Sequence, residues 1–203
     1  MAVLMLAALP LTASADQPAS TELGSVVIDP GHGGKDPGTH SRTHALEKDI
    51  NLAIGTAIAA NLRQQGVHVV LTRSSDLFLS LDERVAVSNT SQAKLFVSIH
   101  CDSTLHTSAK GFSVLIPHRF SEKTSAAAGA ISRSLASDGI PRHAIRRKTR
   151  KLEVLNETQS PSVLVEAGFL SNPQEAANLA THAYQEKLAA AIADGVTEYL
   201  RNK

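Results

Sequence analysis

The 203-residue chain has one cysteine, Cys101, no tryptophan, and only 3% aromatic side chains. A single thiol excludes an intramolecular disulfide, so stability must come from packing or from a bound ion. The shortage of aromatics argues against a groove that stacks nucleic-acid bases. An excess of one charge is lacking as well, because 20 Lys and Arg face 19 Asp and Glu. Binding a phosphate backbone needs a clear cationic excess, so no nucleic-acid partner is expected. No apolar run approaches the roughly 20 residues that a membrane-spanning helix requires, so no transmembrane segment is expected.

With 42% hydrophobic side chains, the chain has enough apolar material for one core and is too short for two ordinary domains. The opening "MAVLMLAALPLTASADQPAS" runs apolar from Ala2 to Leu11 and then reaches the small residues Ala13, Ser14 and Ala15. That order matches a secretory leader over 1–15, although no Lys or Arg precedes the apolar run. Residues 16–24 read as a polar tether and 25–203 as one folded domain. An exported protein is therefore expected.

Five short runs rich in β-branched residues read as buried strands: "SVVID" (25–29), "VHVVLT" (67–72), "LFVSIH" (95–100), "GFSVLI" (111–116) and "SVLVEAG" (162–168). Helical spacing fills the intervals at 46–66, 80–91 and 121–139, and again at 184–200. Alternating strands and helices predict a single three-layer α/β/α domain, with a largely parallel mixed sheet flanked by helices. A monomer is expected.

Sheets of this class carry their sites beyond the carboxyl ends of the strands. Three of these strands end in reactive groups: "SVVID" leads to His32, "LFVSI" to His100, and "SVLV" to Glu166. Glu47 opens the long helix that follows the His32 loop. Two imidazoles and a carboxylate make the three-ligand set of a catalytic zinc site, and a further carboxylate is then free to act as base.

Simpler readings exist for each residue. Glu47 suits the first turn of any helix, and a histidine in "DPGHGG" can be a turn residue. Glu166 and His100, inside apolar strands, are harder to explain without a function or a partner. "GHGGKDPG" superficially suggests a phosphate cradle, yet it matches neither GxxxxGK[ST] nor GxGxxG.

On "VVIDPGHGGKDPG", "LEKDINLAI", "VVLTRSSD", "LDERVAVSN", "LFVSIHCDS", "KGFSVLI" and "LEVLNETQSPSVLVEAGFLSNPQE", the chain strongly resembles the zinc-dependent N-acetylmuramoyl-L-alanine amidases of the amidase_3 type. The segments follow the family's order and extend from about Val26 to Leu200. The resemblance implies that one Zn2+ per chain is held by His32, Glu47 and His100, and that Glu166 is the catalytic glutamate. It implies peptidoglycan as substrate, cut at the amide between N-acetylmuramic acid and L-alanine. Rival readings are a catalytically silent wall-binding protein and a zinc peptidase cutting within the stem peptide.

The surroundings are less determined. Asp29, Lys35 and Asp36 either orient His32 or serve turn chemistry. The glycines are expected to let the chain leave the strand and turn His32 towards the metal. After His100 the family usually shows a small residue and then Asn, whereas Cys101 and Asp102 stand here. Alternation points Cys101 into the packing and returns Asp102 to the face of His100, where it would add negative charge. His44, one turn before Glu47, is an alternative ligand.

"RHAIRRKTRK" (142–151) concentrates seven basic side chains in ten positions and reads as a connector. It is either a solvated face or, through Arg146, Arg147 and Lys148, a contact for anionic wall polymer. Because the interval between His100 and Glu166 is filled by ordinary elements, no dedicated blocking insert is expected. The hypothesis is an intrinsically open enzyme, with an activator protein as the other possibility.

Overall fold

The computed structural model describes residues 23–41, 45–147 and 152–202. The expected leader, most of the tether, His44 and Lys148 lie outside the described residues. Six strands form one sheet: β1 (Ser25–Pro30), β2 (His68–Leu71), β3 (Leu95–Asp102), β4 (Phe112–Ile116), β5 (Arg142–Arg147) and β6 (Ser162–Phe169). Their order is β2-β1-β3-β6-β4-β5. The first four in that order run parallel, whereas β4 pairs antiparallel with β6 and parallel with β5.

The five expected strands are present, and β5 is a sixth. The basic run read as a connector therefore begins as an edge strand. Its charged composition conceals it, since a strand paired on one side needs less apolar surface than a central one. The helices are α1 (Glu47–Gln64), α2 (Leu81–Ser91), α3 (Glu122–Ser137), α4 (Glu153–Asn156), α5 (Pro173–Leu179) and α6 (His182–Arg201). α4 and α5 are too short to show a helical period in sequence.

Side-chain alternation divides the core in two. Val26, Ile28, Val97, Ile99, Cys101, Val163 and Val165 pack under α1, α3 and α6. Val27, Phe96, Leu115 and Leu164 face the other way, with Val154 and Leu155 of α4 and the partly buried Val87 of α2. His100 and Glu166 share the parity of Phe96 and Leu164, so they lie on this second face.

α1 shows how the fold prepares a site. Ile50, Ile54, Ile58 and Leu62 form its buried stripe. Its first turn lacks a side-chain cap; instead Glu47 N donates to Thr39 O (3.0 Å) and Lys48 N to Pro37 O (3.2 Å). The loop carrying His32 thus satisfies helix donors that would otherwise be orphaned. Helix and loop are fixed as one unit.

Candidate metal centre

β1 ends at Pro30, and Gly31 N donates to Ile99 O of β3 (2.9 Å), which places the His32 loop beside His100. Glu47, at the start of α1, reaches over these strand ends. Its Oε1 lies 2.9 Å from His100 Nδ1 and 3.1 Å from His32 Nε2. One ligand atom from each of the three residues lies within 4.8 Å of the others, the only such group of three or more among the described residues. Glu47 keeps 5% of its side-chain surface exposed, against 24% for His32 and 21% for His100, so the group is reached from the histidine side.

Glu47 is held from all directions. Thr39 N donates to its Oε2 (2.9 Å), and Asn51 Nδ2 and Cys101 N donate to Oε1 (each 3.2 Å). Burial opposes its charge, but hydrogen bonds with His100 and His32 overcome that and hold the carboxyl well below the ordinary range. Burial likewise opposes charge on His32, where Glu47 and Asp36 prevail and raise its pKa to about 9.

His32 has φ 61°, a left-handed conformation that costs energy for a residue with a Cβ. Three contacts maintain it. Asp36 Oδ2 lies 2.8 Å from His32 Nδ1, and the backbones of Gly33 and Asp36 close the intervening turn. Arg84 Nη2 donates to His32 O (2.7 Å). The turn is therefore taken partly by the histidine itself, and Gly31 supplies space. A Cβ on Gly31 would lie 2.2 Å from His100 Cε1 and Nε2, and one on Gly38 2.5 Å from Glu47 Oε2.

Beneath the loop lie two arginines that sequence reasoning missed. Arg84, 4% exposed, donates to Asp29 Oδ1 (2.7 Å) and Pro30 O (2.9 Å). Arg73, 3% exposed, donates to the carbonyls of Pro30, Gly31, Lys48 and Ser75. Asp29 also accepts from Thr72 and Ser98, so it anchors the base of the loop and acts on His32 only through Arg84. Lys35 turns outward, its Nζ 4.4 Å over the ring of Phe78.

Glu166 is the register partner of His100 on β6. It stands beside the three-residue group without belonging to it. Cys101 packs in the core at 4% exposure, as expected, and burial pushes its thiol pKa up. Asp102 is partly exposed, as His100 is, with the buried Cys101 between them. The register shifts between His100, opposite Glu166, and Asp102, opposite Phe169, and Asp102 Oδ1 accepts from Ser103 N (2.8 Å). It is not part of the group. Arg146 and Arg147 close β5.

Comparison with known proteins agrees with this architecture. The family model for N-acetylmuramoyl-L-alanine amidase, Amidase_3, matches residues 26–198. The protein YqiI of Bacillus subtilis is 38% identical, over 86% of this chain and 84% of its own. The crystal structure of an N-acetylmuramoyl-L-alanine amidase from Clostridium difficile superposes with a TM-score of 0.83 at 34% identity, covering 88% of this chain and 97% of that one. The CwlD amidase of Clostridioides difficile, solved in complex with the GerS lipoprotein, superposes equally well (0.83) at 30% identity, over 89% of this chain and all (100%) of CwlD. This chain belongs to the amidase_3 family of N-acetylmuramoyl-L-alanine amidases.

Proposed function

We propose that the protein is an exported zinc amidase that hydrolyses the bond between N-acetylmuramic acid and L-alanine in peptidoglycan. The observation that carries the reading is the convergence of two imidazole nitrogens on one buried carboxylate oxygen, with Glu166 adjacent on the next strand. His32, Glu47 and His100 fit zinc by donor chemistry, since two nitrogens and one oxygen leave a position open. Bound there, zinc supplies a Lewis acid and lowers the pKa of its water towards about 7.

The chain's own residues do the rest. Asp36 accepts the Nδ1 hydrogen of His32, which leaves Nε2 facing Glu47 with its lone pair once that nitrogen is deprotonated. Glu166 takes a proton from the attacking water and delivers it to the alanine nitrogen as the carbon–nitrogen bond breaks. Arg73 and Arg84 keep the His32 loop in place through both steps. Arg146, Arg147 and Lys148 attract the anionic polymer.

Two variants test the division of roles. His32→Ala is expected to lose zinc, whereas Glu166→Ala keeps it and loses turnover. Zinc loss in the Glu166 variant contradicts the assignment.

A further inference from the structure

A cavity of ≈ 300 Å³ opens beside the metal group, with Gly31, His32 and His100 in its lining. Phe78, Leu79, Leu81 and Val154 also line it. Phe78 is 37% exposed and Leu81 48%, both large apolar side chains left facing water beside the reacting centre. The segment holding them is fixed. A Cβ on Gly34 would lie 2.7 Å from Phe78 N, Asp76 Oδ1 accepts from Gly34 N (2.7 Å), and Ser80 begins α2 with a capping box to Glu83.

The charges lining this cavity decide what enters it. Its one Lys or Arg side chain, Arg84, is buried and engaged with Asp29 and three carbonyls. Its carboxylates are Asp29 and Asp36, the latter still 43% exposed at its side chain. Such a wall offers the carboxylates of a stem peptide no unengaged Lys or Arg and suits a neutral, partly apolar group. A sugar fits, since its C–H face packs on an aromatic ring and its N-acetyl methyl on aliphatic carbon.

The other side of the centre has the opposite character. From His100 the row across the sheet continues through Glu166, Ser113 and Ala144 to the edge strand. β5 begins with the exposed Arg142 and His143 near the carboxyl end of β6, where the His143 ring meets Phe169 at 4.9 Å.

We infer that the cavity bounded by Phe78, Leu81 and Val154 receives the N-acetylmuramoyl sugar, and that the stem peptide leaves across Glu166 towards β5. The inference rests on the amidase reading and orients the substrate within it. Phe78 and Leu81 then set specificity for the glycan side of the bond.

Two soluble substrates test it on the zinc-loaded enzyme: a disaccharide pentapeptide, and the same peptide bearing a D-lactoyl group in place of the sugar. Phe78→Ala and Leu81→Ala are expected to lower kcat/KM about tenfold on the first and to leave the second within about twofold. Equal losses on both overturn the subsite.

A binding readout needs no turnover. In an NMR titration, N-acetylmuramic acid methylamide should shift the signals of Phe78 and Leu81, and the dipeptide L-Ala-D-Glu should not. The reverse pattern overturns the proposal. If the sugar shifts those signals while the wild type cuts neither substrate at the muramoyl–alanine bond, the amidase reading fails and the sugar site stands.

Discussion

Asp36 Oδ2 lies 2.8 Å from Nδ1 of His32, on the side of the ring away from Glu47. The contact fixes which nitrogen keeps its hydrogen and the direction in which the other points. Asp36→Asn is therefore expected to weaken zinc binding about 10- to 100-fold while the fold persists. Competition with a chromogenic chelator measures it, and an unchanged zinc constant contradicts the orienting role.

Arg84 carries the next prediction because it and Asp29 are both almost fully buried. Removing one partner strands the other charge, so Arg84→Met should destabilise the protein by about 3–5 kcal/mol. Denaturant unfolding reads this directly. A loss below about 1 kcal/mol would show that the pair does not secure the loop.

Gly31 is required for room. Gly31→Ala should displace the His100 ring and lower zinc affinity at least about tenfold. Gly66→Ala, at φ 80° with nothing within 4 Å of the added carbon, serves as control. It should cost only about 1–2 kcal/mol of backbone strain and leave zinc affinity alone. Equal zinc affinities in the two variants would mean that His100 has space the geometry denies it.

The zinc-stripped protein should show a defined pH dependence. His32, raised from 6.5 to about 9, contributes stability that is complete below 6.5 and is lost as pH rises through about 9. Glu47, lowered from 4.5, contributes stability present above 4.5 and lost as pH falls through its depressed value. Their joint contribution is therefore greatest between those two ordinary values and declines towards alkaline pH. Adding zinc near pH 7.5 should reverse the decline and release about one proton per ion, because the metal replaces the Nε2 proton of His32. Calorimetry in buffers of different ionisation enthalpy counts that proton, and a count near zero contradicts a protonated His32.

The four central residues were legible because each marks the end of an apolar strand or the start of a helix. Their chemistry is visible where packing alone calls for something else. The supporting residues were not. Arg84 sits in "LDERVAVSN", where it looks like one more charge on a surface helix, and Asp29 is 55 positions away. Asn51 lies beside the apolar stripe of α1, and nothing in its spacing announces that it steadies Glu47. The extra residue that β6 carries opposite the His100–Asp102 pair shows only in the strand pairing. β5 was hidden because edge pairing with β4 alone lets a strand carry Arg142, His143, Arg146 and Arg147.

The central claim, that zinc and Glu166 act together on the muramoyl–alanine amide, is tested most directly by digesting purified sacculi with zinc-loaded wild type and Glu166→Gln. The account predicts release of intact stem peptides beginning with L-alanine by the wild type, and equal zinc content with turnover lower by at least about 100-fold in the variant. Fragments cut inside the stem peptide, or undiminished release by Glu166→Gln, would contradict it.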